Sequence, residues 1–307
     1  MKILNFGSCN IDYVYFMDHI VAAGETEATQ SLNIFPGGKG LNQSIAIARA
    51  GESVYHAGCI GDGGEFLLEI LENDKVDTSL IERVDCQNGH AIIQVSKEGE
   101  NSIFLYPGSN RMISCSQVDK ALDFFSKDDI LLVQNEINNI DYIVKKAHER
   151  GMRIILNPSP CNSEIGRIDL GMISYLILNR LEVREITGCD TVSDALLYFR
   201  EKFPKLKVML TLGNSGCVYQ DEKEQIFCPT FKVEAVDTTG AGDTFTGYFI
   251  AGIARGTDVE KTLRIASAAA AISVTREGAA TSIPHMDEVL KRIDSLAVNQ
   301  ADSNSLD

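Results

Sequence analysis

The sequence predicts an α/β fold with a doubly wound, mostly parallel sheet and helices on both faces, plus a small separate β-sheet. Three observations support this prediction. From residue 116 to residue 211, short apolar runs alternate with segments of helical periodicity, which is typical of a parallel sheet covered by helices. Polar side chains recur directly after the apolar runs. The β-like runs within 12–35 and 89–106 do not fit this alternation, so they predict the separate sheet.

The first half of the chain opens the main sheet and contains the small one. Residues 2–8 predict a strand that ends at Gly7, with Asn10 and Asp12 just after it. The further elements expected here are β-like segments within 12–35, a glycine-rich turn at 36–43 that opens a helix ending at Gly51, a strand at 53–60, a helix over 66–71, and a hairpin formed by 90–96 and 101–106.

The second half of the chain carries the regular alternation. Its expected elements are helix 116–126, strand 130–134, helix 139–150, strand 153–156, strand 173–178, helix 180–187, helix 192–203, strand 207–211, short antiparallel edge strands within 216–233, an alanine-rich helix over 258–275 and a last helix over 286–296. Residues 1–297 are expected to form one domain. The polar tail, 298–307, is expected to be disordered.

Composition narrows the function classes. The formal net charge is −15 and no block of basic residues occurs, which argues against nucleic acid or an anionic membrane as a partner. The eight cysteines are scattered, without Cys-x-x-Cys or zinc spacing, and with no secretion signal they predict a reducing, cytoplasmic location. No apolar run approaches the roughly 18 residues that a membrane helix needs.

The stretch 236–252 is the most informative one. Gly240, Ala241 and Gly242 form a loop almost without side chains, and Asp243 then opens an apolar helix. The first amides of a helix lack internal partners and attract anions, so this turn can hold a phosphate. A carboxylate beside it can take a proton from an attacking hydroxyl. The alternative is that Asp243 is a plain helix N-cap.

Polar side chains collect where the predicted strands end. They are Asn10, Asp12, Glu136, Asn179, Glu182 and Thr211, joined by Asp243 at a helix start and by Lys39 and Asn42 in the first glycine-rich turn. A doubly wound sheet brings its strand ends to one edge, so these groups are expected to line one cleft. A polyhydroxylated ligand and a phosphate donor could meet there. Each residue alone could also be a turn or cap residue.

Two motifs resemble the signatures of the ribokinase-like (PfkB) carbohydrate kinase family. They are Gly37-Gly38-Lys39-Gly40-Leu41-Asn42-Gln43 and Val236-Asp237-Thr238-Thr239-Gly240-Ala241-Gly242-Asp243-Thr244-Phe245. Shorter matches are Gly24-Glu25-Thr26, Asn157-Pro158-Ser159-Pro160, Asn179-x-x-Glu182, Thr211-Leu212-Gly213 and the segment 274–279. The resemblance runs from Asn5 to about Arg292. It implies transfer of a phosphoryl group from ATP to a primary sugar hydroxyl, with D-ribose as the expected sugar.

The resemblance also implies a role for each matching residue. Asp243 would be the catalytic base, and the amides of Gly240, Ala241 and Gly242 would form the anion hole. The sugar would bind Asn10, Asp12, Gly38, Lys39, Asn42 and Glu136. Thr211, Gly213 and Gly216 would border the nucleotide, and Asn179 and Glu182 would serve the Mg²⁺-phosphate region through water. A monovalent cation, K⁺, would bind at Asp237, Thr239, Ser273, Arg276, Gly278 and Ser282.

The small sheet would be a lid over the sugar, and in this family the lid often joins two subunits, so a homodimer is expected. The chain departs from the family pattern at three places. Arg180-Leu181 follows Asn179 where acidic and polar residues are common, Gly63 replaces a usual second aspartate, and the lid run carries the bulky Phe104 and Tyr106. These departures affect the phosphate region and sugar selection.

Three other functions are weighed against a ribose kinase. A kinase of the same fold could act on a nucleoside, fructose or a sugar acid. A non-catalytic sugar or nucleotide sensor could keep the fold, but it would not need Asp243. A dinucleotide oxidoreductase would share the strand-helix rhythm, but the Gly-x-Gly-x-x-Gly fingerprint is absent at both glycine-rich turns.

Overall fold

The computed structural model describes residues 1–299. The strands of this range are β1 (Ile3–Phe6), β2 (Asn10–Phe16), β3 (Ser31–Gly37), β4 (Val54–Asp62), β5 (Asp77–Gln87), β6 (His90–Val95), β7 (Asn101–Tyr106), β8 (Ile130–Gln134), β9 (Arg153–Asn157), β10 (Tyr175–Asn179), β11 (Lys207–Thr211), β12 (Cys217–Gln220) and β13 (Gln225–Cys228). The helices are α1 (Lys39–Arg49), α2 (Glu65–Asn73), α3 (Cys115–Leu122), α4 (Ile140–Glu149), α5 (Arg180–Thr187), α6 (Val192–Lys202), α7 (Ala241–Arg255), α8 (Val259–Ser273) and α9 (Met286–Arg292).

Nine strands form the main sheet, in the order β13-β12-β11-β10-β9-β8-β1-β4-β5. The pairs from β11 to β5 are parallel, while β12 and β13 are antiparallel at one edge. The central strands, such as β8, are apolar on both faces because both faces are covered. In β8, Ile130 and Leu132 pack in one buried cluster while Leu131 and Val133 pack in the other. This confirms the predicted doubly wound sheet.

The small sheet has the order β3-β2-β6-β7 and stands apart from the main sheet. We call it the lid sheet. Buried asparagines bond the segments that lead into and out of the lid sheet. Asn88 Nδ2 donates to the carbonyl of Cys9 (3.0 Å), and Asn110 Nδ2 donates to Asn10 Oδ1 (2.6 Å). Its two faces together carry a set of exposed apolar side chains, namely Leu32, Ile34, Ile103, Phe104, Leu105 and Tyr106.

The structure differs from the sequence analysis at two strands. Asn10 and Asp12, expected just after β1, both belong to β2 of the lid sheet, so the alternative of a turn at these residues is wrong. Strand β5 was not expected, because its mixed charged sequence resembles a surface loop. It lies at the edge of the main sheet and, among the described residues 1–299, pairs with β4 alone, so one side of it can stay polar.

The end of the described chain is still paired. Val298 forms a β-bridge with Phe231, and the amide of Asn299 donates to the carbonyl of Thr230 at 2.8 Å. The expectation of a disordered tail beginning at 298 is therefore wrong for these two residues, because both make main-chain hydrogen bonds. The remainder of that expected tail, 300–307, lies outside the described residues. Within residues 1–299, no helix combines the length and apolar character required to cross a bilayer.

Candidate active site

The site is built around the first turn of α7. Gly240 precedes the helix with φ 74°, a conformation that favours glycine, and Asp243 is the third helical residue. Within residues 1–299, the amides of Gly242 and Asp243 donate to no acceptor, and no side chain caps the helix. A Cβ added to Gly242 would meet no atom within 4 Å. Unpaired amides at a helix start are suited to an anion, and glycine leaves the space beside them free of a side chain.

Helix α1 delivers the partners of Asp243. A Cβ on Gly247 of α7 would clash with Ala46 of α1, so glycine at this position lets the two helices approach closely. As a result Asn42 Nδ2 lies 3.1 Å from Asp243 Oδ2, and Gln43 Nε2 lies 2.8 Å from Asp243 Oδ1. The carboxylate is only 6% exposed and accepts a hydrogen bond at each oxygen. The alternative was that Asp243 only caps the helix. Its carboxylate instead bonds two side chains of α1, and no side chain caps α7.

Asn42 has one unsatisfied atom. The residue is 5% exposed, its nitrogen donates to Asp243, and its Oδ1 is buried without a partner among residues 1–299. A buried acceptor without a donor costs about 1–3 kcal/mol. A ligand hydroxyl group would supply the missing donor, so this atom indicates a site for a polyhydroxylated molecule.

Charged side chains concentrate around Asp243. Burial, reinforced by the charges of Glu136 and Asp243, raises the pKa of Asp12 to about 7. Burial also raises the pKa of Glu136, although Lys39 opposes this effect. The charge of Asp243 is the largest cause that raises the pKa of Lys39, so this ammonium group stays protonated. Gly37 makes room here, because a Cβ on it would clash with the Asp12 carboxylate.

Glu136 is anchored in this acidic group by two donors. Its Oε2 accepts the Ser8 hydroxyl and, at 2.8 Å, the amide of Lys39. Gly38 precedes α1 with φ 91°, and its carbonyl accepts the amide of Asn42 at 3.0 Å. The predicted sugar residues therefore lie at the junction of β2, α1 and the end of β8.

Two cavities meet at Gly242. The first, of about 260 Å³, is polar, and we call it the basin; it is lined by Lys39, Asn179, Glu182, Gly240, Asp243 and Thr246, among others. The second, of about 220 Å³, is more apolar, and we call it the slot; it is lined by Gly213, Gly216, Phe231, Ala241, Phe245 and Ala271, among others. Thr211 and Gly242 line both cavities. The shape fits a flat base in the slot and a phosphate chain that leads toward Asp243.

Comparison with known proteins identifies the scaffold that carries this site. Residues 1–286 match the family model described as pfkB family carbohydrate kinase. The chain belongs to the pfkB family of carbohydrate kinases. The resemblance inferred from the two glycine-rich motifs is thereby confirmed, and this pfkB kinase uses ATP as its co-substrate.

Its relatives cover almost the whole chain. This pfkB kinase is 37% identical over 288 residues to the ribokinase of Bacillus subtilis (strain 168), covering 92% of this chain and 96% of that protein. It is similar to the solved structure of ribokinase from Thermotoga maritima, with 35% identity, a TM-score of 0.86 and coverage of 96% and 99%. It is also similar to ribokinase from Cryptococcus neoformans var. grubii serotype A in complex with ADP, with 32% identity, a TM-score of 0.83 and coverage of 95% and 99%.

In this pfkB kinase, Asn179 and Glu182 form a capping box at the start of α5. Asn179 Oδ1 accepts the amide of Glu182 at 3.0 Å, and Glu182 Oε2 accepts the amide of Asn179 at 2.9 Å. Glu182 Oε1 accepts from Asn179 Nδ2 and from the Ser159 hydroxyl. With both oxygens engaged, Glu182 does not fit a direct Mg²⁺ ligand. It lines the basin and could still bond a metal-bound water.

The residues expected to hold a monovalent cation lie in two segments, 237–239 and 273–282, that Asp237 joins by a hydrogen bond; we call the two segments together the Asp237 loop. Asp237 Oδ1 accepts the amide and the hydroxyl of Thr239, and its Oδ2 accepts the amide of Gly278 at 2.9 Å. These hydrogen bonds lower the pKa of Asp237 despite its burial. Within residues 1–299, four main-chain carbonyls of this loop accept no hydrogen bond, namely those of Thr239, Arg276, Gly278 and Ser282. Free carbonyl oxygens beside a carboxylate suit a hard cation.

The side chains of three expected cation residues make interactions within the protein. The hydroxyl of Ser273 donates to the carbonyl of Ala270 (2.9 Å), and that of Ser282 donates to the carbonyl of Ala279 (2.8 Å). Arg276 forms an ion pair with Glu288. Both hydroxyl oxygens keep lone pairs that a cation could contact, whereas Arg276 can offer only its carbonyl because its side chain is paired with Glu288.

Sequence reasoning missed several site residues. Gln43 donates to Asp243, and its Nε2 also lies 3.0 Å from Asn157 Oδ1. The hydroxyl of Ser8 donates to Glu136, and the hydroxyl of Ser159 donates to Glu182. Gln43 belongs to a quoted motif but was not assigned a role. The only available signal was its position next to Asn42, which does not show where a helical side chain points.

Proposed function

We propose that this kinase transfers the γ-phosphoryl group of ATP to the primary hydroxyl of D-ribose and produces ribose 5-phosphate and ADP. The observation that carries the proposal is the Asp243 carboxylate, buried at the open end of α7 between a polyol site and a nucleotide-shaped slot. The relatives named above are ribokinases at 32–37% identity over nearly the whole chain, which supports ribose as the sugar.

In the proposed reaction Asp243 is the general base. The hydroxyl proton passes to its carboxylate, the hydroxyl oxygen forms a bond to the γ-phosphorus, and the bond between the γ-phosphorus and the bridging oxygen breaks, releasing ADP. The free amides at Gly242 and Asp243 receive the charge that develops on the phosphoryl oxygens. Asn10, Asp12, Asn42 and Glu136 would hold the sugar hydroxyls, and Asn42 Oδ1 would gain its missing donor.

The basin needs added positive charge for this reaction. The charges of Asp243, Glu136 and Glu182 all act on the ammonium group of Lys39, and the Asp12 carboxyl interacts with Glu136 and Asp243. A triphosphate would add further negative charge, so we propose that ATP binds with Mg²⁺, which neutralises the phosphates. Asn179 and Glu182 would orient water molecules toward that ion, because their own oxygens are already bonded within the protein.

We also propose a monovalent cation at the Asp237 loop. The loop runs directly into Gly240, and Ala279, which follows Gly278, approaches Gly240 so closely that a Cβ on Gly240 would lie 2.9 Å from the Ala279 Cβ. A cation bound by the free carbonyls would therefore stiffen the turn that presents the α7 amides. K⁺ is the ion that the resemblance implies, and it would activate without touching substrate.

One observation favours a nucleoside as the acceptor. A cleft of about 290 Å³ extends from Asp12 under the lid sheet and is bordered by the apolar side chains of Phe16, Phe35, Ile93 and Ile103. A ribose has no apolar surface to place there, whereas the base of a nucleoside does. Nucleoside phosphorylation is therefore the second candidate function.

A substrate panel separates these candidates. ADP release is measured with ribose, 2-deoxyribose, fructose, a sugar acid and a nucleoside, in K⁺ and again in tetramethylammonium. We expect the highest kcat/KM with ribose and a higher rate in K⁺, because the organic cation is too large for the carbonyl-lined loop. A preference for the nucleoside would replace ribose as the substrate, and equal rates in the two salts would remove the cation site.

We propose that two copies associate through the lid sheet. Leu32 and Ile34 of β3 and Phe104 and Tyr106 of β7 are exposed apolar side chains on the face of that sheet opposite the Asp12 cleft, and exposed apolar surface of this kind marks an interaction site. Sedimentation should give the mass of a dimer, and Phe104→Glu should give a monomer, whereas Phe124→Glu, which changes an equally exposed phenylalanine far from the lid, should not. A wild-type protein that stays monomeric at high concentration contradicts this proposal.

The eight free cysteines support a cytoplasmic location.

A further inference from the structure

Gln43 lies next to the proposed base but lines neither the basin nor the slot. It is fully buried, at 0% exposure, and its Nε2 donates to Asp243 Oδ1. We propose that Gln43 is the positioning residue for Asp243: it fixes Oδ1 and so leaves Oδ2, which faces Asn42, as the atom that receives the hydroxyl proton. This inference rests on the proposed kinase reaction.

The orientation of the Gln43 amide follows from partners that can only accept. Asn157 Nδ2 donates to the main-chain carbonyl of Ile177 at 3.0 Å, so Asn157 turns its oxygen toward Gln43. Gln43 Nε2 lies 3.0 Å from that oxygen and 2.8 Å from Asp243 Oδ1. Both hydrogens of the Gln43 amide are thereby used, and a flipped amide would place its oxygen against two other oxygens.

The other end of the amide is fixed in the same way. Gln43 Oε1 accepts from Gln134 Nε2 at 2.8 Å, and the same nitrogen donates to Asn5 Oδ1 at 2.9 Å. Asn5 Nδ2 donates to the main-chain carbonyl of Gly40 at 2.7 Å. The row of hydrogen-bonded side-chain amides thus ends at a main-chain carbonyl on each side. Because a carbonyl can only accept, the donating and accepting ends of every amide in the row are fixed. The result is a preset donor aimed at the carboxylate.

This chain reaches across the site to the phosphate region. Asn157 Nδ2 lies 3.4 Å from the hydroxyl of Ser159, which in turn donates to Glu182. Gln43 therefore connects the proposed base to the residues at the start of α5. Because buried polar networks hold their members in one geometry, Gln43 sets the direction of Asp243 without touching substrate. A displacement of about 1 Å in a reacting group can cost about 100-fold in rate.

The test compares Gln43→Met with Gln117→Met. Methionine keeps the length of glutamine but donates no hydrogen bond. Gln117 is also buried, and its nitrogen donates to the carbonyl of Gly58 at 2.6 Å, far from the carboxylate. We expect Gln43→Met to lower kcat by roughly 10- to 100-fold, with KM for both substrates within about two-fold of wild type. Gln117→Met should keep the wild-type kcat.

A double-mutant cycle distinguishes positioning from general destabilisation. If Gln43 acts through Asp243, Gln43→Met should cause no further loss of kcat in an Asp243→Asn background. The inference is overturned if the loss persists there in full, or if Gln43→Met and Gln117→Met have equal kcat. A wild-type enzyme without any sugar-dependent ADP release would instead overturn the proposed function itself.

If Gln43→Met does not fold, Gln43→Glu tests the positioning role of Gln43 instead. The glutamate has the same shape, and in its neutral form it can donate to Asp243 Oδ1, whereas its ionised form repels the carboxylate. The titratable groups nearby, Asp12, Lys39 and Glu136, are present in both proteins, so the comparison is made as a ratio of variant to wild type. The ratio of variant to wild-type kcat should therefore fall between about pH 6 and about pH 9. A ratio that does not change with pH contradicts the positioning role.

Discussion

Asp243→Asn is expected to lower kcat by roughly 10²–10⁴, the range for removal of a general base. The asparagine keeps the shape of the side chain but cannot take the hydroxyl proton. It also presents an NH₂ group to one of the two donors, Asn42 or Gln43, that now bond the carboxylate. The expected loss lies in kcat, measured as sugar-dependent ADP release, while the affinity for ATP should change little because the α7 amides remain.

Asp258→Asn is the matched control for this substitution. Asp258 is the N-cap of α8, where its side chain accepts the amide of Lys261, and it takes no part in the site. Because asparagine caps a helix about as well as aspartate, Asp258→Asn should retain both kcat and melting temperature. If Asp243→Asn behaved in the same way, Asp243 would be a helix-capping residue only, and the proposed base would be wrong.

Asp12→Asn should weaken sugar binding and stabilise the protein at alkaline pH. A hydrogen bond to a charged partner contributes about 1.5–3 kcal/mol, so the KM for the sugar should rise roughly 10- to 100-fold. The stability effect follows from the pKa of Asp12, which burial and the charges of Glu136 and Asp243 raise to about 7. Because the folded protein binds this proton more tightly than the unfolded chain does, wild-type stability falls as pH rises from about 4 to about 7.

Thermal unfolding at several pH values checks this prediction. The difference in melting temperature between Asp12→Asn and wild type should grow from pH 4 to pH 8. At the higher pH the wild type buries an ionised carboxylate at residue 12, and the variant buries a neutral amide there. Asp85→Asn, an exposed aspartate on the edge strand β5, is the control and should show no such trend. An unchanged KM together with a pH-independent difference would make Asp12 an ordinary lid residue.

The sequence predicted the parts of the structure that depend on local pattern. The alternating apolar runs predicted the parallel strands because burial on both faces leaves a continuous apolar signal, as in Ile130–Gln134. Strand β5 lacks that signal, since an edge strand with one partner tolerates charges on its free side. Its existence follows from pairing with β4, which no local pattern records.

The candidate site was partly predictable for a similar reason. Asn42 and Asp243 occur in glycine-rich turns, and such turns indicate close approach of a ligand or another backbone. Gln43 gives no such signal, because it is one polar residue at the start of a helix. Its role arises only when Gly247 lets α1 approach α7 and brings the amide to Asp243. Tertiary packing, rather than the motif, identifies it.

Identification of the product tests the central claim most directly. Purified enzyme is incubated with ATP, Mg²⁺, K⁺ and D-ribose, and ³¹P and ¹³C NMR then locate the phosphate on the sugar. We predict ribose 5-phosphate in equal amount to ADP with the wild type, and almost none with Asp243→Asn over the same time. Release of ADP without a phosphorylated sugar, or an equal product yield from Asp243→Asn, would contradict the proposed base-catalysed transfer to the primary hydroxyl.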